Sequence, residues 1–107
     1  MRKATGNLPE WALFTELECS TAHIRRGDSY MLDLLAEAEP EKDWLCSLPE
    51  GHLIRLSARR FPVLELKRRG FSRELRWLAF VACREGCRSL YIGADGFILE
   101  GFDTFDW

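Results

Sequence analysis

The spacing of hydrophobic and polar residues predicts a strand and then a helix in the first third of the chain. Apolar residues alternate with polar ones from residue 11 to residue 20, which is the period of a half-buried strand. Asp28 is then predicted to cap a helix, and Pro40 to end it because proline cannot continue a helix. The apolar stripe of that helix recurs every three or four residues and comprises Met31, Leu34, Leu35 and Ala38.

Short apolar runs in the middle and near the end of the chain predict three more strands. Residues 44–48 and 52–57 are expected to pair as a hairpin, because Pro49-Glu50-Gly51 between them has the length and composition of a turn. Residues 88–93 are expected to form the last strand, which a turn at Asp95-Gly96 follows. Together with the first segment, these runs supply a four-stranded sheet.

The strongest helical pattern follows Ser72, a favoured N-cap residue, and is expected to stop at Gly86. Its apolar stripe comprises Leu75, Leu78, Ala79, Ala82 and Cys83, and is widened by Trp77, Phe80 and Val81. This helix is therefore predicted to be the most buried one. Residues 62–69 fit either a short helix that begins at Pro62 or an extended segment.

The order of elements predicts a single α+β domain over residues 1–107, since no repeat or linker divides the chain. We predict a ferredoxin-like βαββαβ two-layer sandwich, and a mixed sheet with the same elements in another order is the alternative. In the predicted topology, the first two strands run one way and the last two run back. One edge of the sheet then gathers the residues Cys19, Ser20, His23, Glu50, His52 and Cys87.

Residues 95–107 form an aromatic and acidic tail without any Lys or Arg. A frayed terminus is normally small and polar, so this tail is predicted to pack on the domain, along the fourth strand or across the sheet end. Phe97 and either Phe102 or Phe105 are expected to be largely buried, whereas Trp107 should stay partly exposed because its indole needs a polar partner. The same residues suit a surface that binds a partner, and the pattern leaves both interpretations open.

The overall composition indicates a soluble globular protein, with 47% hydrophobic and 30% charged residues among 107. No apolar stretch follows the first basic residues, so no secretory signal is expected, and no apolar run approaches the roughly 18 residues of a membrane span. We therefore expect a cytoplasmic protein whose cysteines stay reduced.

Charge is unevenly distributed along the chain, although the net charge is only −2. Residues 28–50 are mainly acidic, and residues 55–76 are mainly basic and include Arg68, Arg69 and Arg73. The basic segment is either a solvated surface or a face that meets phosphates or an acidic partner. Single-stranded nucleic acid is one candidate ligand, because aromatic residues lie among these arginines.

Candidate chemistry is confined to the edge where the topology gathers cysteine and histidine. A small hydrolase-like site would use Cys19 or Ser20 with His23, but neither an orienting third residue nor an oxyanion site is evident. Zinc would draw on the four cysteines, which are Cys19, Cys46, Cys83 and Cys87. No Cys-x-x-Cys pair is present and small thiols are common in protein cores, so we expect no metal, no cofactor and no catalytic residue.

Several short motifs resemble those of a family of short bacterial proteins of unknown function. They are Ser20-Thr21-Ala22-His23-Ile24, Arg69-Gly70-Phe71-Ser72, Ala94-Asp95-Gly96, Glu100-Gly101 and Thr104-Phe105-Asp106-Trp107. That family is encoded mainly on plasmids, integrative elements and prophages, and it brings no assigned activity, substrate or cofactor. The resemblance implies an accessory protein of mobile DNA that binds a host or element protein. The middle third of the chain matches the family only in its general pattern, and the four cysteines are not part of the family's pattern.

These features favour a small, non-enzymatic protein-interaction module. Tail aromatics beside carboxylates suit binding anchors with an electrostatic guide toward a basic partner. The predicted binding residues are Phe102, Asp103, Phe105, Asp106, Trp107, His23, Arg68, Arg69 and Arg73. For His23, a structural role in fixing the strand-to-helix junction by hydrogen bonds is also predicted. Nucleic-acid binding by residues 55–76 and hydrolase-like chemistry at the edge with His23 are the alternatives.

Overall fold

A computed structural model describes residues 8–39 and 41–107. Within these ranges, four strands and three helices are formed: β1 Glu16–Ser20, α1 Arg26–Ala36, β2 Leu45–Leu48, β3 Gly51–Ile54, α2 Pro62–Arg68, α3 Arg73–Arg84 and β4 Ser89–Gly93. The first strand is thus shorter than predicted, and residues 62–68 take the helical one of their two predicted forms. The predicted helix end at Pro40 lies outside the described residues.

The protein is an α+β structure with a mixed sheet, but the predicted ferredoxin-like topology is wrong. The strand order is β1-β4-β3-β2, in which β4 runs parallel to β1 and antiparallel to β3. Two helices rather than one connect β3 to β4, so the chain returns to the sheet end that it left. The last strand therefore runs in the opposite direction to its neighbour β3 and in the same direction as β1.

This strand direction changes which residues meet at the edge of the sheet. Ser20 pairs with Gly93, and the Ala94 amide donates to the carbonyl of Glu50 at 2.8 Å. The end of β1 therefore meets the end of β4 and the hairpin turn. Cys87 precedes β4 and lies at the opposite end, so its predicted proximity to Cys19 is wrong.

The core lies between the helices and one face of the sheet. Strand register aligns two rows of inward-facing residues, which are Leu17, Leu90, Ile54 and Leu45 in one row and Cys19, Ile92 and His52 in the next. α1 packs on β2 and β3, α3 packs on β4, and α2 packs on α3. Buried residues from outside the strands complete the core: Ile24, Leu32, Trp44, Leu56, Leu66, Phe71, Leu75, Leu78, Ala79 and Ala82.

α3 confirms the predicted cap but has a narrower buried stripe than predicted. The Ser72 hydroxyl accepts a hydrogen bond from the Leu75 amide at 3.2 Å. Trp77 and Phe80, which were expected to widen the stripe, are 49% and 43% exposed. Trp77 lies two positions from Leu75, about 200° around the helix, and therefore faces away from the core. Cys83 is also exposed.

Asp28 connects the starts of α1 and α3 instead of serving as the predicted N-cap of α1, which begins two residues earlier. Its carboxylate is buried and accepts hydrogen bonds from the Arg25 amide at 3.1 Å and from the Ser72 amide at 2.9 Å. The Ser72 hydroxyl donates to the same carboxylate at 2.5 Å. One buried carboxylate thus satisfies amides at two helix starts.

No helix in the described part of the chain is long and apolar enough to cross a membrane.

Candidate interaction site

His23 is the residue on which the C-terminal tail is fastened. β1 ends at Ser20, whose hydroxyl caps a short 3-10 turn at Thr21–His23, and this turn places the imidazole inside at 1% exposure. The Leu99 amide donates to Nε2 of His23 at 2.8 Å. Because Nε2 must accept, the proton sits on Nδ1, which donates to the Asp103 carbonyl at 2.8 Å. This arrangement agrees with the structural role predicted for His23.

Backbone contacts hold the tail across the end of the sheet, one of the two predicted paths. The Ser20 amide donates to the Phe97 carbonyl at 2.9 Å, and the Phe105 amide donates to the Ala22 carbonyl at 2.7 Å. The predicted turn at Asp95-Gly96 forms without a positive φ at Gly96. Gly96 is needed because a Cβ there would lie 2.1 Å from the Cys19 carbonyl oxygen.

Gly101 makes the second bend of the tail, with φ of +88°, a conformation that glycine adopts without strain. The bend brings Phe102 against the core, with its ring edge-on to the His23 imidazole and 6.0 Å between centroids. Trp107 is 47% exposed and donates its indole N–H to the Ile24 carbonyl at 2.9 Å, as predicted.

The predicted burial of the tail aromatics is only partly correct. Phe97 is 66% exposed, because its carbonyl rather than its ring faces the body of the protein. Phe102 and Phe105 are half-buried, whereas Asp103 and Asp106 are exposed.

Arg25 joins the tail to α3, and it is a residue that sequence reasoning missed. Its guanidinium lies over the Phe105 ring, 4.5 Å from the centroid, and its Nε donates to Glu74 Oε1 at 3.0 Å. That hydrogen bond, with a backbone hydrogen bond, lowers the pKa of Glu74 to about 2. Nothing in the sequence marks this contact, because Arg25 and Glu74 are far apart along the chain.

The outer side of α3 carries two large aromatic rings that are exposed. The rings of Trp77 and Phe80 stack with 5.5 Å between centroids and 22° between planes, although both are nearly half exposed. Arg73 and Arg76 lie on the same helix beside Trp77, and Val63 of α2 faces it across a groove. We call these five residues, Val63, Arg73, Arg76, Trp77 and Phe80, the α3 outer surface.

Two clefts flank Trp77. The groove toward α2 measures about 290 Å³ and is bounded by the α3 outer surface. The second cleft measures about 230 Å³ and lies between α3 and the tail, where it is lined by His23, Arg73, Glu74, Trp77, Leu78, Phe102 and Asp103. Arg73 and Trp77 line both clefts, so one cation and one large ring are shared. Four of the predicted binding residues, His23, Arg73, Phe102 and Asp103, come together here.

The three arginines predicted to bind a partner have different surroundings. Arg69 forms intramolecular salt bridges, with Glu41 at 2.7 Å and with Glu65 at 3.2 Å. Burial alone would raise the pKa of Glu41, but hydrogen bonds from Arg69 and the Trp44 indole lower it. Arg68 and Arg73 are exposed and form no salt bridge within residues 8–39 and 41–107.

At the edge that carried the hydrolase hypothesis, Ser20 and His23 are engaged in structural hydrogen bonds, and Cys19 is buried. Burial, with the nearby Glu18, raises the pKa of the Cys19 thiol to about 12, which disfavours the thiolate that acts as a nucleophile. The Ser20 hydroxyl caps the turn, and both His23 ring nitrogens bind backbone of the tail. Within the described residues, no group of three or more His, Cys, Asp or Glu side chains is arranged to hold a metal.

A second histidine forms an arrangement that the sequence did not suggest. Nε2 of His52 lies 2.9 Å from the Ser29 hydroxyl, and Nδ1 lies 3.4 Å from Asp33 Oδ1. The second distance is too long for a good hydrogen bond, and within the described residues Nδ1 has no hydrogen-bond partner. Ser29 on α1 thus faces β3 across a packed interface, and neither cleft beside Trp77 is lined by these residues. Burial lowers the pKa of His52, and Asp33 opposes that shift.

The fold and these surfaces describe a small α+β domain with a docked tail and an exposed aromatic–arginine surface. The chain belongs to the family of unknown function DUF5983, whose C-terminal domain model matches residues 16–107. The matched range begins at the first residue of β1 and includes all of the described strands and helices and the tail. No curated protein and no solved structure matches the chain.

Proposed function

We propose that this protein is a small, non-enzymatic interaction module that binds a host or element protein through the α3 outer surface. The observation that carries the proposal is the stacked pair of Trp77 and Phe80, which is half exposed beside an arginine and two clefts. Trp and Arg are enriched at the energetically dominant positions of protein interfaces. Exposed aromatic patches rimmed by charge are typical of such surfaces.

The partner is expected to present carboxylates beside an apolar anchor. Arg73 and Arg76 lie next to Trp77, so a matching segment places acidic groups over these guanidiniums and an apolar side chain in a cleft. The tail itself offers that chemistry, since Phe102 and Asp103 line the neighbouring cleft with Trp77. The proposed partner is therefore acidic where it meets the arginines, whereas the acidic tail alone predicted a basic partner.

The biological setting forms part of the proposal. The resemblance of several short motifs to a family encoded on plasmids, integrative elements and prophages supports the proposal of an accessory role in bacterial mobile DNA. We propose a cytoplasmic location, with which the finding of no membrane-spanning helix in the described residues is consistent.

Affinity capture with paired variants tests the proposal. The bait with Trp77→Ala and Phe80→Ala should lose a protein that the unmodified bait retains. The bait with Phe97→Ala and Ile98→Ala is the matched control. It removes two apolar side chains that are 66% and 64% exposed and lie outside the α3 outer surface. The captured protein is then purified, and binding is measured against Arg73→Glu, which should weaken it at least tenfold through charge repulsion.

Equal capture by the two double variants would refute the proposed surface, because loss of any exposed apolar pair would then have the same effect. Binding that Arg73→Glu strengthens would show that the partner is basic, and this would overturn the proposed chemistry.

A further inference from the structure

Three arginines line a third concave surface, which lies at the end of the sheet opposite the tail. The concavity measures about 600 Å³ and lies where α3 ends and β4 begins, next to the segment after β3. Arg59, Arg60 and Arg88 contribute to its lining, and Ser57 adds a hydroxyl. None of the described residues that line it is acidic. Arg59 is ion-paired with Asp43 at 2.6 Å and with Glu65 at 3.4 Å, so Arg60 and Arg88 carry the attraction for anions. Guanidinium groups match phosphate oxygens in geometry.

Arg88 is held in place before any ligand arrives. Its backbone amide donates to the Thr15 carbonyl at 2.8 Å, and its Nε donates to the Ser57 hydroxyl at 3.1 Å. Its guanidinium lies over the Phe14 ring, 3.9 Å from the centroid. A guanidinium fixed in this way loses little side-chain entropy on binding.

Two exposed rings border the arginines. Phe14 is 60% exposed and lines the concavity, and Phe61, which is 59% exposed, lies under the Arg60 guanidinium at 5.5 Å. Alternating arginines and exposed aromatic rings are the elements that single-stranded nucleic acids use, since phosphates meet the cations and unpaired bases stack on the rings.

Some acidic residues of β1 and of the loops that flank β4 lie near this concavity. Burial, followed by Glu85 and Glu16, raises the pKa of the Cys87 thiol, which lines the concavity, whereas Glu50, Glu18 and Asp95 act with burial to raise the pKa of Tyr91. The lining itself is basic, because its described residues include arginines and no acidic side chain. Glu85 is the nearest acidic neighbour along the chain, and it lies 3.9 Å from Arg84.

We propose that this concavity binds single-stranded nucleic acid, with Arg60 and Arg88 on the phosphates and Phe14 or Phe61 against a base. The site is separate from the α3 outer surface, so it adds a function to the proposed protein interaction. Two phosphate contacts correspond to a salt slope of about −1.4 in log K against log salt, and to a Kd of about 10⁻⁶–10⁻⁴ M.

Fluorescence anisotropy with labelled dT12 and rU12 in 50 mM and 200 mM salt tests the inference. The double variant Arg60→Gln/Arg88→Gln should bind at least tenfold more weakly and with a shallower salt slope. The control Arg26→Gln/Lys67→Gln removes the same charge from exposed positions outside the concavity, and it should change Kd less than twofold. Phe61→Ala, which leaves the charge unchanged, should weaken binding about threefold or more.

Because Arg88 contributes to packing, melting curves of the variants accompany the titrations, and Arg60→Gln alone keeps the test valid if the double variant unfolds. Equal weakening in the control variant would mean general attraction by net charge, and it would overturn the site. Absence of binding up to 100-fold above the expected Kd, equal affinity for a duplex of the same length, or binding of a phosphoserine peptide without either oligonucleotide would each overturn it as well.

Discussion

The tail and the outer side of α3 carry aromatic rings of almost equal exposure, yet they are held in different ways. Trp107 is 47% exposed and Trp77 is 49% exposed. The Trp107 indole binds the Ile24 carbonyl, and backbone hydrogen bonds fix the segment before it to the body. Trp77 stands on a helix whose opposite side supplies the core, and its ring stacks on Phe80 alone among the aromatic rings of the described residues.

This difference separates rings that hold the fold from rings that are available for binding. Removing a tail ring also disturbs the hydrogen bonds around His23, whereas removing the Trp77 ring leaves the buried side of α3 intact. Exposure alone therefore does not identify a binding residue. The useful criterion is whether the backbone that carries an aromatic ring needs that ring to keep its position in the fold.

The largest expected effect comes from ending the chain after Gly96. This change removes Leu99 and Phe102, which pack on the core, and leaves both His23 nitrogens without their partners. We expect a loss of about 4 kcal/mol in the free energy of unfolding, measured by urea denaturation. Unaltered stability would show that the tail is only attached to the surface, and the contrast with α3 would disappear.

A smaller loss, about 3 kcal/mol, is expected for His23→Ala, because a buried ring and two hydrogen bonds to the tail are lost together. Hydrogen exchange of the Leu99 amide should accelerate in step with tail release. In the unmodified protein, nitrogen NMR should show the neutral imidazole with its proton on Nδ1. A proton on Nε2 would contradict the proposed fastening, since Nε2 could not then accept from Leu99.

His52 sharpens the comparison because it is the other buried histidine and does not contact the tail. Burial lowers its pKa in the folded protein, so the unfolded chain binds the proton first as the pH falls. The stability that neutral His52 contributes is present above about pH 6.5 and is lost below it, with a slope of at most about 1.4 kcal/mol per pH unit.

The difference between the stability–pH profiles of the unmodified protein and His52→Gln isolates this contribution. Gln retains a polar atom for the Ser29 hydroxyl but does not titrate. Equal profiles from pH 7.5 to 5.5 would mean that the pKa of His52 is the same in the folded and the unfolded protein, which would contradict the expected lowering. The Leu99 amide should exchange at the same rate in both proteins, which separates this histidine from His23.

The smallest effect is expected for Trp77→Ala with Phe80→Ala, which should reduce stability by about 1 kcal/mol or less. Both rings are nearly half exposed and stack on each other, so the loss is limited to their stacking and partial burial. Circular dichroism melting measures it. A loss as large as that of the tail truncation would show that the pair supports the fold, which would remove the main reason to regard it as a binding surface.

Local signals in the sequence predicted much of the secondary structure. Ser72, the stop at Gly86 and the apolar residues between them identify α3, and the short turn after residue 48 identifies the hairpin. These features depend on residues that are close together in the sequence, so they can be predicted from one sequence alone. Helical periodicity also places Trp77 on the side of α3 opposite Leu75. The predicted apolar stripe nevertheless grouped the two residues together.

The candidate site was predicted in composition but not in arrangement. His23, Arg73, Phe102 and Asp103 were all identified as binding candidates, and they line one cleft with Trp77. Arg69 was also identified, but its ion pairs with Glu41 and Glu65 occupy it. Charge along the chain does not reveal such pairing, because Glu41 reaches Arg69 only through the packing of two distant segments.

By itself, the sequence determined an α+β protein with a four-stranded sheet, a capped main helix and an aromatic, acidic tail. Only the tertiary structure decided that β4 lies between β1 and β3, that His23 fastens the tail and that Arg25 connects it to α3. Periodicity and capping are local and are encoded within a few residues. Strand order and contacts between distant residues depend on how the entire core closes, and no short segment contains that information.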